Sequence, residues 1–139
     1  MPLIVLLRSG IRMKKILFIF RSTPYRNAQA QEGLDAALAA SVFDQKISVL
    51  FMNEGIWQLH NHQQSHGVKI ENINEKVERK NIAAQLESFP LYDITTIFVD
   101  AQAMKKFSIP KNELILKPLP VNDKKIRLLI AENDVVLTY

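Results

Sequence analysis

The 139-residue chain contains no cysteine. This absence excludes disulfide bonds, thiolate zinc sites, iron–sulfur clusters and cysteine nucleophiles. Glycine is also scarce: there are four, and none begins a G-x-G-x-x-G or G-x-x-x-x-G-K-[ST] pattern. Both common glycine-rich phosphate-binding loops are therefore excluded.

Long apolar runs are missing as well. The apolar run near the amino end stops at Arg8 and is too short to span a bilayer. It also lacks the basic lead and small-residue cleavage site of a secretory signal. Met13 followed by two lysines resembles a natural start, so we predict that residues 1–12 are an extension and that residues 13–139 form a single domain. We expect a cytoplasmic protein with no membrane partner.

The chain has 18 basic and 14 acidic residues, which gives a net charge of +4, so neither sign of charge dominates. The basic residues of the last third are interrupted by Glu113 and Asp123; they are Lys105, Lys106, Lys111, Lys117, Lys124, Lys125 and Arg127. Because dedicated nucleic-acid binders cluster their basic residues in one stripe, the pattern favours a solvated surface and no direct nucleic-acid partner. A basic rim that meets an acidic partner is the alternative.

Short apolar runs alternate with segments of helical periodicity. The predicted strands are Ile16–Phe20, Ile47–Met52, Thr95–Val99, Leu114–Leu116 and Asp134–Tyr139. The predicted helices are Ala28–Ser41, a segment from Ile73 that Pro90 ends, Ala101–Phe107, and Lys124–Ala131 capped by Asn122 or Asp123. Continuous apolar runs are typical of strands buried on both faces. The pattern therefore predicts a three-layer α/β/α fold around a mostly parallel sheet.

The three histidines form an H-N-H-x-x-x-H pattern at His60, His62 and His66. Imidazoles so spaced could bind a divalent metal, which would suit a free-standing metal-binding or small-molecule-binding domain. The surrounding segment is polar, and we favour a solvated loop without a metal. Ser22, which follows the first strand, could form a triad with His60 and Asp100, but no G-x-S-x-G elbow supports that chemistry.

The single tryptophan lies just after the second predicted strand, in the segment NEGIWQL. Trp57 could anchor the core beside the sheet, or it could anchor a subunit interface, where tryptophan is enriched. The interface candidates are Trp57, Gly55 and Leu59.

Four segments in the right order resemble the DsrF-like branch of the DsrE/DsrF/DsrH family. They are Gln31–Ala39, Asn53–Leu59, Leu91–Ile94 and Asn133–Tyr139. The resemblance covers residues 13–139 and implies a flavodoxin-like three-layer domain with a five-stranded sheet.

The resemblance also implies a role in a sulfur relay. It implies TusB-like and TusD-like subunits in a dimer of heterotrimers, with TusA-like and TusE-like proteins as transient sulfur carriers. The relay supplies persulfide sulfur for 2-thiouridine at the tRNA wobble position. The sulfur-carrying cysteine of the TusD-like subunit corresponds here to Val99, next to Asp100. Since neither side chain can hold a persulfide, we expect a non-catalytic subunit with no cofactor.

Overall fold

The computed structural model describes residues 13–24, 28–61 and 82–139 of the chain. Five strands form one parallel sheet in the order β4-β3-β2-β1-β5. The strands are β1 (Lys15–Phe20), β2 (Lys46–Phe51), β3 (Thr96–Asp100), β4 (Leu119–Val121) and β5 (Val135–Thr138). The helices are α1 (Gln29–Ser41), α2 (of which residues 82–87 are described), α3 (Ala101–Lys106) and α4 (Asp123–Glu132).

The inner strands β1, β2 and β3 are mostly apolar and buried beyond their first residues, because both faces of the sheet are covered. Side chains alternate between the faces, so Phe18 and Phe20 of β1 belong to one buried cluster and Leu17 and Ile19 to another. The prediction of a three-layer α/β/α fold is confirmed, and every strand pairing is parallel.

The direction of the crossovers decides which helix covers which face. Strands β1 to β4 step in one direction across the sheet, whereas β5 returns to lie beside β1. Right-handed crossovers then place the first three helices on one face and α4 on the other. The packing agrees, because Leu34 of α1 and Leu86 of α2 join the cluster of Phe18, whereas Ile126 and Leu129 of α4 join that of Leu17.

The helix ends follow the predicted signals where they are described. Asn122 caps α4 by accepting a hydrogen bond from the Lys125 amide at 2.9 Å. Pro90 lies in the 3-10 turn Phe89–Tyr92, just beyond the end of α2. Predictions for residues 1–12 and for the start of α2 fall outside the described residues.

The predicted strand at Leu114–Leu116 is wrong. Leu114 forms only an isolated bridge with His60, and the strand lies later, at Leu119–Val121. The reason is local, because Leu116 and Lys117 adopt left-handed φ angles of 68° and 48° that break an extended run. Pro120 fits in β4 because this strand is at the edge of the sheet, where a missing N–H is tolerated.

Among the described residues, no helix is both long and apolar enough to cross a membrane.

Candidate functional site

The carboxyl ends of the parallel strands meet at one edge of the sheet, which is where open α/β sheets bind ligands. The loops that follow β1 and β2 begin there, at Arg21 and Met52, helix α3 begins there at Ala101, and Tyr139 follows β5 at the same edge. Most of the residues singled out from the sequence therefore lie at this edge.

A polar cleft of about 410 Å³ opens between the ends of β1, β2 and β5. Its lining residues are Arg21, Ser22, Gln29, Asn53, Glu54, Thr138 and Tyr139. With the Asn53 side-chain amide oriented so that its oxygen faces Arg21, that oxygen accepts from Arg21 Nε at 3.1 Å and from Nη2 at 3.2 Å. The Arg21 amide donates to the Tyr139 carbonyl at 2.6 Å, so both the backbone and the guanidinium of Arg21 are held in place.

The 3-10 turn Asn53–Gln58 is pressed against the end of β1. The Met52 amide donates to the Phe20 carbonyl at 3.0 Å, and a Cβ added at Gly55 would lie 2.0 Å from that same oxygen. Only glycine permits such a close approach of two backbones. Gln58, which is fully buried, donates to the Ser22 carbonyl at 2.9 Å and fixes the loop that follows β1.

Gly55 and Leu59, two of the three interface candidates, lie inside the subunit, and their role at an interface stays a prediction. Leu59 is 0% exposed, and Gly55 is covered by the backbone of Phe20. Both residues are needed inside the subunit, where the turn folds back onto the sheet. The sequence has a glycine and three apolar residues after a strand, a pattern that does not distinguish an interface from a turn folded onto its own sheet.

Trp57 is half-buried at the edge of the core. Its ring centroid lies 5.5 Å from that of Phe107 and 5.4 Å from that of His60, the latter in an edge-on arrangement. Trp57 therefore contributes to the subunit's own packing and still keeps surface for a partner. Its role in an interface stays a prediction.

Trp57→Ala should lower the free energy of unfolding by about 2 kcal/mol. A fully buried tryptophan costs about 3–5 kcal/mol on truncation, and half-burial reduces that loss. Chemical denaturation of the isolated subunit measures it, with Trp57→Phe as the control that keeps an aromatic ring against Phe107. An interface anchor would also weaken assembly beyond this loss of fold stability. Unchanged stability together with unchanged assembly would contradict both roles.

His60 is buried, with its Nε2 atom 3.2 Å from Glu113 Oε1. The two side chains join the turn after β2 to the segment that carries Glu113, where the Asn61 amide also donates to the Glu113 carbonyl at 2.7 Å. His62 and His66 lie outside the described residues, and the hypothesis of a histidine metal site depends on them. The described part of the chain holds no group of three histidine or acidic side chains that could bind a metal.

The structure does not bring Ser22, His60 and Asp100 together as a triad. The Ser22 hydroxyl donates to Gln29 Oε1 at 2.7 Å, and His60 faces Glu113. Asp100 caps α3 by accepting from the Gln102 amide at 3.0 Å. Each of the three side chains is thus committed to a different neighbour.

The position that the resemblance aligns with a sulfur-carrying cysteine is structural in this chain. Val99 is fully buried in the sheet, and Asp100 is the buried N-cap of α3. Neither side chain presents a nucleophile to the polar cleft.

Arg21, Asn53 and Phe107 did not emerge from the sequence as site residues. The signal for two of them was available, because Arg21 directly follows β1 and Asn53 comes two residues after β2. The ends of paired parallel strands are neighbours, so polar residues at both ends predict a shared cleft. The sequence gives no such indication for Phe107, because its contact with Trp57 depends on where α3 packs.

Comparison with known proteins gives one consistent result. Residues 14–139 match the DsrE/DsrF-like family. Two relatives are named TusC homolog. The relative from Vibrio parahaemolyticus is 27% identical to this chain over 127 residues, and the one from Aliivibrio fischeri is 28% identical over 127 residues. Each alignment covers 91% of this chain and all of the relative. The protein TusC of Escherichia fergusonii is 29% identical over 128 residues, again across 91% of this chain and its own full length.

Among solved structures, the ychN protein from E. coli superposes with a TM-score of 0.71 at 16% identity, covering 91% of this chain and 100% of that one. At that identity the likeness concerns the fold alone, and the fold agrees with the sheet described above. With the family match extending over residues 14–139, this chain belongs to the DsrE/DsrF-like family.

Proposed function

We propose that the chain is a non-catalytic, cytoplasmic subunit of a heteromeric sulfur-relay complex. In this proposal the complex passes persulfide sulfur for 2-thiouridine formation at the tRNA wobble position. The observation that carries it is the combination of full-length similarity to TusC proteins with the complete absence of cysteine.

The chemistry of a sulfur relay explains why the missing cysteine matters. An acceptor thiolate attacks the outer sulfur of a persulfide, a new S–S bond forms, and the donor leaves as a thiolate. Each station of the relay therefore needs a thiol, which this chain does not have. The chain acts through its surfaces, by holding the cysteine-bearing subunits in place or by receiving a carrier protein.

The partners in this proposal are TusB-like and TusD-like subunits in a dimer of heterotrimers, with TusA-like and TusE-like carriers binding transiently.

Exposed apolar side chains support the presence of a partner subunit. Val42 and Phe43 precede β2, and Leu91 and Tyr92 precede β3; Leu91 is 85% exposed and Phe43 is 69% exposed. Because β2 and β3 are neighbouring parallel strands, these residues lie at the same edge of the sheet, where the strands begin. Apolar groups gathered there are typical of a protein–protein contact.

The proposal is tested by co-expressing the chain with the TusB-like and TusD-like proteins of the same organism. We expect co-purification, and native mass spectrometry should give equal numbers of the three subunits. When the complex is incubated with a ³⁵S-persulfide donor, label should reach the TusD-like subunit and not this chain. A TusD-like Cys→Ser variant, which should assemble but take up no label, is the control. Label on this chain, or a chain that purifies only as a monomer, would overturn the proposal.

A further inference from the structure

Basic residues flank Phe107, which packs against Trp57 at the end of α3. We define the basic aromatic face as Trp57, Lys105, Lys106, Phe107 and Lys111. The Trp57 and Phe107 ring centroids are 5.5 Å apart, and Lys106 Nζ lies 5.5 Å from the centre of the Phe107 ring. Lys111 begins the 3-10 turn Lys111–Glu113, which is attached to the same region by the contact between Glu113 and His60.

The positive charge of this face is not neutralised within the described part of the chain. Lys105, Lys106 and Lys111 are exposed, and the described residues supply no ion pair for any of them. Three acidic side chains of this region have other partners. Glu113 faces His60, Asp100 caps α3, and Asp123 accepts from Gln102 Nε2 at 3.1 Å.

The aromatic rings supply an apolar centre to this charged surface. Trp57 and Phe107 are both half-buried, so each is held by the core and also presents part of its surface outward. Within the described residues, a half-exposed aromatic pair thus lies close to cations that have no ion-pair partner. This matches the usual arrangement of a protein interface, in which an apolar centre is bordered by polar groups.

We infer that the basic aromatic face docks an acidic protein, whose carboxylates meet Lys105, Lys106 and Lys111 while an apolar side chain packs against Trp57 and Phe107. This inference rests on the proposed function, in which the docking protein is a sulfur carrier that visits the complex.

The ring geometry favours a protein over a nucleic acid. Single-stranded nucleic acid binds aromatic residues by stacking bases on open ring faces. Here Lys106 lies over the Phe107 ring, and Trp57 is packed between His60 and Phe107. The rings therefore offer edges and partial surfaces, which suit an aliphatic or aromatic side chain better than a base.

The test uses the assembled complex and the purified TusE-like carrier of the same organism as the probe. Lys105→Glu combined with Lys106→Glu should raise the Kd for the carrier at least about tenfold, because charges bordering an interface govern its electrostatic attraction. The salt dependence of the Kd should also become weaker in this variant. Isothermal titration calorimetry at several salt concentrations measures both effects.

The matched control makes the same change of charge on the opposite face of the sheet. Lys124 and Arg127 are exposed on α4, and Lys124→Glu with Arg127→Glu should change the Kd less than about twofold. The inference is overturned if both double variants change the Kd for the carrier equally, or if neither variant changes it. It is also overturned if the assembled complex does not bind the carrier. A further result would overturn the inference in favour of a nucleic-acid surface: the complex binds unmodified tRNA, and only the variant at Lys105 and Lys106 loses that binding. Failure of the proposed function would appear earlier, as a complex that does not assemble.

Discussion

Gly55→Ala should lower the free energy of unfolding of the subunit by about 3 kcal/mol, at the upper end of the usual cost of overpacking. The new methyl group would lie 2.0 Å from the Phe20 carbonyl oxygen and 2.5 Å from the carbonyl carbon. Both are backbone atoms of the inner strand β1 and cannot rotate away. The 3-10 turn would have to lift off the sheet, which would disturb the Met52–Phe20 hydrogen bond and the neighbouring burial of Ile56. Urea denaturation followed by circular dichroism measures the loss.

Gly33→Ala provides the comparison within the same chain. Its Cβ would lie 2.4 Å from Phe20 Cε1 and 2.8 Å from Tyr139 Cγ, which are side-chain atoms and not backbone atoms. Alanine is also better than glycine by about 1 kcal/mol within a helix, which offsets part of the strain in α1. We therefore expect a smaller loss at Gly33 than at Gly55. A Gly55→Ala protein as stable as the wild type would show that the turn does not depend on this close contact.

Phe43→Ser combined with Leu91→Ser should prevent stable assembly with the TusB-like and TusD-like subunits. Truncating an interface anchor commonly costs about 2 kcal/mol or more of binding free energy, so the two changes together should weaken the complex by hundreds of times or more, at about tenfold for each 1.4 kcal/mol. Because both side chains are exposed in the subunit, its own stability should change by no more than about 0.5 kcal/mol. Native mass spectrometry gives the assembly state, and mass spectrometry of tRNA hydrolysates should show less wobble 2-thiouridine in cells carrying the variant.

The control for this experiment removes the same kind of surface elsewhere. Leu128 and Ile130 are exposed on α4, on the opposite face of the sheet. Leu128→Ser with Ile130→Ser should leave assembly intact. If both double variants weaken the complex equally, the edge of the sheet where the strands begin is not the specific contact.

The strands predicted correctly from the sequence are the three inner strands β1, β2 and β3, which are covered on both faces, and the edge strand β5. Strand β1 is a continuous apolar run from Ile16, and β2 is apolar apart from Lys46 and Ser48, because both of their faces are covered; the sequence records that burial directly. Strand β4 is short, lies at an edge and contains Pro120, so its composition resembles a loop. The left-handed φ angles of Leu116 and Lys117 interrupt the extended backbone, so that the strand begins later in the chain. Hydropathy does not indicate this change of backbone conformation.

The site was harder to predict because it is assembled from separate parts of the chain. Trp57 could be found by its rarity and its place after β2, but whether Gly55 and Leu59 faced inward or outward depended on how the turn folded back. The pairing of Arg21 with Asn53 requires the parallel register of β1 and β2. Such a contact is fixed by the sheet and not by the spacing of either residue.

The position of β5 beside β1 has a consequence for the kinetics of folding. Ile16 pairs with Val135, and the Lys15 amide is bound by Asp134, 119 residues further along the chain. The other central pairings, β1 with β2 and β2 with β3, join segments much closer in sequence. Since closing a long loop is slow and its entropy is lost before the contact forms, we expect docking of α4 and β5 to be the late, rate-limiting step. During synthesis on the ribosome, one flank of β1 therefore stays an open strand edge until nearly the whole sequence has emerged.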